Sequence, residues 1–310
     1  MLIHQAFYSG YTMVVMPKFE LGDFCRLVQE YKITMGYIVP PIILQLAKSP
    51  VVDRYDLSSL RMVNSGAAPL TKELVEEFYA RLKVPVKQGY GLSETSPTIH
   101  NQPWDRWRST VGSVGTLLPN QTAKYVNEKD EEVPVGSVGE LWIKGPNIFQ
   151  GYLNNPAGTA NALTSDGYFK TGDVGYQDAD GNFYITDRVK ELIKYSGFQV
   201  PPAELEGLLL SHPKITDVAV TGVYSKERQT ELPRAHVVLK EGETEGKEAA
   251  EEIAMWLQER VASHKRLRGG VRFVKEVPKS ASGKILRRVL RDQAKEEEEG
   301  KEEKKVKAKL

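Results

Sequence analysis

A single cysteine, Cys25, stands in a chain of 310 residues. An internal disulfide is therefore excluded, which suits a reducing compartment. Cys25 lies beside Phe24 in a helical pattern and reads as a buried structural thiol rather than a nucleophile. Histidine is sparse: His4, His100, His212, His236 and His264 show neither metal spacing nor a triad context, so surface or packing roles are expected. No charge of one sign dominates. The net charge of +1 gives no bulk electrostatic case for nucleic acid or an anionic membrane. No apolar run approaches the ~20 residues of a membrane span, no signal peptide opens the sequence, and no internal repeat is found. What remains is 40% hydrophobic and 27% charged, as in a soluble globular protein with room for two or three domains.

The first third alternates strand and helix signals. Tyr11–Met16 and Ile33–Val39 are apolar runs that stop at prolines, and both read as strands. Phe24, Leu27, Val28 and Tyr31 fall at helical spacing. Ile42–Ala47 is a short helix, and Leu60–Asn64 and Val84–Gln88 are further strands. Thr71 is placed to cap a helix with Leu74, Val75, Phe78 and Leu82 on its apolar face. Such alternation implies a parallel α/β sheet, in which ligands bind beyond the carboxyl ends of the strands. Two small-residue loops sit at such ends, Ser65–Pro69 and Gly89–Thr95.

From about Val111 glycine and proline become frequent and Glu140–Lys144 alternates, which reads as an antiparallel region, a small β-barrel. A smaller α+β unit follows. Pro202 opens a helix carrying Leu205, Leu208 and Leu209; Val218–Val223 and Ala235–Leu239 read as strands, Ala249–Val261 as a helix and Phe273–Val277 as a last strand. The expected divisions are 1–110 (partial α/β domain), 111–187 (barrel-like part), 188–293 (small α+β domain) and 294–310 (a Lys/Glu-rich tail).

Asp166–Gln199, DGYFKTGDVGYQDADGNFYITDRVKELIKYSGFQ, is the densest stretch. It places Asp173 after a tight turn, then a hairpin with Asp180-Gly181 at its tip and Asn182–Ile185 returning. A carboxylate can accept two hydrogen bonds from a ribose diol, and Arg188 could pair with an anionic group nearby. The polar residues 187–190 fall where a hinge could sit. Earlier, Gln88–Thr95 puts Gly89, Gly91 and Ser93 past a strand, where backbone can approach a flat or anionic ligand. Ser93 could donate to a phosphate and Glu94 could hold Mg²⁺. Taken alone, a G-x-G here is an ordinary turn, a bare T-G-D a surface turn, and Lys284 in a basic stretch a solvated cation.

Joined, these runs are specific. TGD…DRVKELIKYSGFQV, QGYGLSET and PKSASGKILRR closely resemble the core and hinge motifs of the adenylate-forming acid–CoA ligases, and within them the 4-coumarate–CoA ligase group, from Met1 to about Arg291. The resemblance implies a large α/β domain with a β-barrel part and a small mobile C-terminal α+β domain. It implies an ATP-dependent reaction in which a carboxylic acid becomes acyl-AMP and then a CoA thioester. The cofactors and partners are ATP/AMP, Mg²⁺, coenzyme A and a small carboxylic acid. By resemblance, Gly66, Ala67 and Ala68 form one wall of the adenine site. Gln88, Gly89, Tyr90 and Gly91 form the other, with Tyr90 against adenine. Ser93 touches the α-phosphate, Glu94 serves the metal, and Asp173 and Arg188 hold the ribose. Lys190 is the residue about which the small domain rotates. Lys194 and Gln199 assist the adenylate, Ser196-Gly197 line the CoA tunnel, and Lys284 stabilises the adenylation transition state.

Departures are also visible. The family's Ser/Thr/Gly-rich loop ending in Lys, which holds the β- and γ-phosphates, is absent, as is the first half of the large domain. The expectation is an N-terminally truncated ligase that adenylates poorly alone. Ser196 stands where many plant members carry Lys, and Asn64 where aromatic-acid ligases carry an apolar residue. Alternatives are a medium- or long-chain acyl–CoA ligase and a catalytically impaired AMP-binding fragment. The terminal Ala308-Lys309-Leu310 resembles the S-K-L address read by a peroxisomal import receptor. Peroxisomal location is expected, with cytoplasmic location as the alternative.

Overall fold

The computed structural model describes residues 2–67, 70–280 and 284–295. The chain separates into two compact units, Met1–Ile185 and Thr186–Leu310. Among the described residues no helix is long and apolar enough to cross a membrane.

The first unit opens with helix α1 (Leu2–Ser9), which buries no residue. Helix α2 (Leu21–Tyr31) begins where the Glu20 carboxylate accepts from the Asp23 N–H at 2.7 Å and ends on Lys32 in the left-handed region. It seats Cys25 and Val28 in the core. Strand β1 (Met35–Ile38), helix α3 (Pro40–Lys48) and strand β2 (Met62–Ser65) follow. Thr71 caps helix α4 (Lys72–Leu82), its hydroxyl accepting from Leu74 N–H, and strand β3 is Val86–Gly91. β1, β2 and β3 are parallel neighbours, with Ser65 opposite Gln88. Strands β4 (Thr98–Asn101) and β5 (Thr116–Leu117) add antiparallel, giving the order β1-β2-β3-β4-β5. Cys25, Val28, Ile43, Leu46, Val63, Val75 and Phe78 form the core between this sheet and its helices. Burial pushes the Cys25 thiol up to about 11, so it stays protonated and inert.

The next sheet is β6 (Thr122–Val126), β7 (Gly139–Lys144), β8 (Phe169–Gln177) and β9 (Phe183–Arg188), in that order, with helix α5 (Pro156–Ala162) between β7 and β8. The antiparallel neighbours β6-β7-β8 agree with the sequence reading. The sheet is open rather than a closed barrel, because β6 and β9 lie at opposite edges of the order. Ile99, Tyr125, Leu141, Ile143 and Phe183 form its core. Two expectations are corrected. Residues 11–16 form no strand, for among the described residues no strand pairs with them to complete a ladder. Thr171-Gly172-Asp173 is not a turn but a bulge within β8. Lys170 and Val174 oppose Trp142 and Glu140, and Gly172 takes φ +70°.

The second unit contains the hairpin β10 (Ile193–Tyr195) and β11 (Phe198–Val200), helix α6 (Pro202–Leu210), and strands β12 (Ile215–Ser225) and β13 (Thr230–Leu239). Helix α7 (Lys247–Gln258), strand β14 (Val271–Phe273) and helical residues 287–295 complete it. The sheet order is β12-β13-β14, the last pair parallel. Leu205 and Leu209 of α6 and Ile253 and Leu257 of α7 pack with Val218, Val220, Ala235 and Val237 of the sheet.

Candidate nucleotide site

The carboxyl ends of β2 and β3 bring the two small-residue loops together. A Cβ on Gly66 would stand 3.4 Å from the Gly89 carbonyl oxygen, so the two backbones meet without a side chain between them. Ala67 holds φ +73°, a left-handed conformation that costs a residue with a Cβ. Ala68 lies outside the described residues. Gly91 is needed sterically: any Cβ there would overlap the Pro97 carbonyl across the irregular β3–β4 pairing. Gln88 is tied through both backbone groups. Its N–H donates to Gln102 Oε1 at 2.6 Å, and its carbonyl accepts from Gln102 N–H at 2.9 Å. Gln102 Nε2 in turn donates to the Thr110 carbonyl at 2.6 Å.

Tyr90 joins this wall to the β8 bulge. Its hydroxyl donates to Asp173 Oδ2 at 2.5 Å across 83 residues of sequence. Burial pushes the Tyr90 hydroxyl far above its ordinary value, and the adjacent Asp173 carboxylate pushes it further, so it remains a donor. The bulge is itself fixed. Thr171 Oγ1 donates to the Leu141 carbonyl at 2.6 Å and accepts from Asp173 N–H at 3.1 Å, while Gly172 N–H donates to Glu140 Oε1 at 2.9 Å. Behind Tyr90 the His100 ring lies 5.7 Å away and packs 4.2 Å from Phe183. Burial pushes His100 down to about 3, so it is a neutral packing ring, as its sequence context implied. Three buried side-chain oxygens at these strand ends, Asn64 Oδ1, Ser65 Oγ and Asn101 Oδ1, have no hydrogen-bond partner among the described residues. A polar ligand entering here would meet acceptors the protein leaves unmatched.

Ser93 and Glu94 occupy a short 3₁₀ turn, Ser93–Thr95. Its buried residue, Thr95, holds the turn by accepting from Leu92 N–H at 2.9 Å and donating to the Pro97 carbonyl at 2.5 Å. Ser93 is exposed and Glu94 half-buried. The loop after β7 buttresses the turn: Phe149 N–H donates to the Glu94 carbonyl at 2.8 Å and Tyr152 Oη to Glu94 Oε1 at 3.0 Å. Among the described residues no three His, Cys, Asp or Glu side chains converge as a ready metal cage. Mg²⁺, however, is commonly held by one or two carboxylates plus substrate phosphates, and the Glu94 carboxylate fits that donor set.

In the second unit, Ser196 (φ 47°) and Gly197 (φ 83°) form the two-residue tip of the β10–β11 hairpin. Lys194 and Gln199 are direct cross-strand partners, which puts both on one face. The tip is tied to β13, with Ser196 N–H donating to Thr230 Oγ1 at 2.7 Å and Lys194 N–H to Glu231 Oε2 at 2.7 Å. Arg188 and Lys190 are exposed just beyond buried Asp187. Lys284 is exposed, and its carbonyl accepts from Ser280 N–H at 2.9 Å. The structure thus brings together Gly66 with Gly89, Tyr90 with Asp173, and Lys194 with Gln199. Gln102 and Tyr152 were missed by the sequence reading. Their partners lie 14 and 58 residues away, and no local pattern signals them.

Residues 1–153 match the family model described as AMP-binding enzyme, and 204–284 match AMP-binding enzyme C-terminal domain. A probable 4-coumarate–CoA ligase 2 of Dictyostelium discoideum is 48% identical over 287 residues, which cover 92% of this chain and 51% of the relative. A 4-coumarate:CoA ligase 1 of Petunia hybrida is 45% identical over 91% of this chain and 52% of its own length. The chain thus spans about half the length of the curated relatives it matches. Among solved structures, ATP-bound MatB from Rhodopseudomonas palustris superposes with a TM-score of 0.84 at 30% identity, over 94% of this chain and 56% of that one. The anthranilate CoA ligase AuaEII in complex with anthranoyl-AMP gives 0.84 at 26% identity, over 92% and 55%. With both of its family models matched in order along the sequence, the chain belongs to the AMP-binding enzymes, the adenylate-forming family its motifs resemble.

Proposed function

We propose that this chain carries the nucleotide-binding and thioester-forming machinery of an ATP-dependent acid–CoA ligase acting on an aryl or acyl carboxylic acid. The observation that carries the reading is the Tyr90–Asp173 hydrogen bond set beside the Gly66–Gly89 backbone contact. A flat base can slide against a wall of bare backbone, and a carboxylate is a group that can accept from the hydroxyls of a ribose diol. In the reaction, the substrate carboxylate oxygen attacks the α-phosphorus of ATP and pyrophosphate departs. The CoA sulfur then attacks the acyl carbon and AMP departs. Glu94 would hold Mg²⁺, which supplies charge neutralisation at the phosphates when bound. Ser93 would donate to the α-phosphate, with Lys284 balancing its charge. Arg188 would complete the ribose contact. Lys190 would be the pivot, Lys194 and Gln199 would attend the adenylate, and Ser196-Gly197 would line the path of the CoA thiol. Positioning and fixed charge account for such phosphate chemistry.

Isothermal titration of the chain with AMP tests the nucleotide site. Binding is expected, and Asp173→Ala, checked for folding by circular dichroism, should weaken it by about 1–3 kcal/mol, the worth of hydrogen bonds to a charged acceptor. Undiminished AMP affinity in that variant rejects the ribose assignment. We further propose peroxisomal location. The terminal Ala308-Lys309-Leu310, outside the described residues, has the small–basic–Leu pattern of a receptor-read address. A fluorescent protein joined at the N-terminus should give peroxisomal puncta that become diffuse on removing those three residues, and a diffuse signal from the intact chain rejects it.

A further inference from the structure

Parallel strands normally read apolar on both faces. Across β1, β2 and β3 one face obeys this, with Val63 beside Val86 in the core. The opposite face does not. Tyr37, Asn64 and Lys87 stand there in one row, each the direct register partner of the next. Tyr37 is accounted for, since its hydroxyl donates to Gln5 Oε1 at 3.4 Å. Lys87 is not. It is half-buried, and among the described residues its ammonium has neither an ion pair nor a hydrogen-bond partner. Burial pushes it below its ordinary value, and no neighbouring carboxylate opposes the push. Partly covered lysines on the adjacent sheet are matched instead: Lys170 meets Asp130 at 3.0 Å and Lys124 meets Asp166 at 4.0 Å.

Lys87 also lies beside the candidate site. Gly89, which meets Gly66 in the backbone wall, follows it on the same face of β3, and two residues of strand span about 7 Å. That step is of the order of a small acyl group. We propose that Lys87 is a specificity-determining residue that pairs with a second anionic group on the acid substrate, so that the preferred acids carry a carboxylate at the end remote from the one that is activated. The charge supplies the discrimination. A neutral acid leaves the ammonium desolvated and unpaired, whereas a dianionic acid replaces its lost water with a charge-assisted bond. Asn64 Oδ1, beside it in the row and without a partner, could accept only from a donor such as a hydroxyl, so a hydroxylated acid is the competing occupant. The inference rests on the ligase reading, because it presumes an acyl adenylate at the wall.

The probes are three sulfamoyl analogues of an acyl adenylate, which cannot transfer their acyl group, carrying terephthaloyl, para-hydroxybenzoyl and para-toluoyl groups. The chain is titrated calorimetrically with each of them and with AMP. The terephthaloyl analogue should bind at least tenfold more tightly than the para-toluoyl analogue. Lys87→Met should bring these two to equal affinity, and Lys87→Arg, which keeps the charge, should retain the preference; circular dichroism checks that each variant is folded. Equal binding of the three analogues by the parent chain, a preference for the para-hydroxybenzoyl analogue, or a terephthaloyl preference that survives Lys87→Met overturns the proposal while AMP binding leaves the ligase reading standing. Failure of AMP and all three analogues to bind overturns that reading and the proposal together.

Discussion

Replacing Arg287 by methionine removes the cation from a buried carboxylate. The Arg287 guanidinium grips Glu206 with two bonds, Nη2 to Oε2 at 2.6 Å and Nε to Oε1 at 3.1 Å, with side-chain exposures of 14% and 8%. Glu206 Oε1 also accepts from Val220 N–H at 2.8 Å, so the pair clamps α6 to β12. Burial pushes the Glu206 carboxyl up, opposed by Arg287, and buried Asp187 is pushed up by burial with the same arginine opposing. Removing one partner of such a pair strands the other, at a cost of about 3–5 kcal/mol. Arg287→Met should lower the stability of the second unit by that amount, read by urea unfolding at pH 8, with hydrogen exchange localising the loss to Ile215–Ser225. A carboxyl raised in the folded state contributes stability that is present below its unfolded value, ~4.3, and lost as pH rises through the folded value. Without Arg287 the Glu206 value rises further, so the deficit should shrink between pH 8 and pH 5. The double variant Glu206→Gln/Arg287→Met should recover part of the loss at pH 8. A deficit under about 1 kcal/mol, the range of exposed pairs, or one indifferent to pH would refute the reasoning.

Two further outcomes bear on the first unit. Gly91→Ala should destabilise it by about 1–3 kcal/mol or more through overlap with Pro97, whereas Gly66→Ala, whose Cβ meets Gly89 O only at 3.4 Å, should melt near the parent temperature; equal melting of the two variants contradicts the steric account. His100 is held neutral, pushed down to about 3, while an unfolded histidine protonates near 6.5. Its contribution is complete above ~6.5 and is lost as pH falls towards 3, about 2 kcal/mol between pH 6 and 4.5. His100→Phe, seated between Tyr90 and Phe183, should flatten that part of the urea-stability profile, and an unchanged slope rejects the assignment.

Local signals were legible where local chemistry decides. Thr71 announced the start of α4, Pro202 the start of α6, and Gly181 (φ 82°) the tip between β8 and β9. The reading failed where a partner decides. YTMVVM has strand composition, but a strand exists only with a neighbour, and periodicity does not count neighbours. Thr171-Gly172-Asp173 has turn composition, yet Glu140 and Leu141 on the adjacent strand hold it as a bulge. Glu206 drew no reading from the sequence, since its counterion arrives from residue 287, 81 positions later.

The same distinction explains why the motifs pointed to a site before its geometry was known. QGYG and TGD are each weak, because a glycine turn and a surface aspartate satisfy local sterics without any ligand. Their joint meaning lies in one bond, Tyr90 Oη to Asp173 Oδ2. A phenylalanine at 90 would keep the ring packing on His100 but remove the donor to Asp173 Oδ2. The hydroxyl, pushed up by burial and by Asp173, stays protonated and therefore always donates. It holds one carboxylate oxygen and helps to fix the Asp173 rotamer. The carboxylate is thereby oriented before any ligand arrives, so less orientational freedom is lost on binding. Tyr90 thus packs its ring against His100 and braces the Asp173 carboxylate with its hydroxyl.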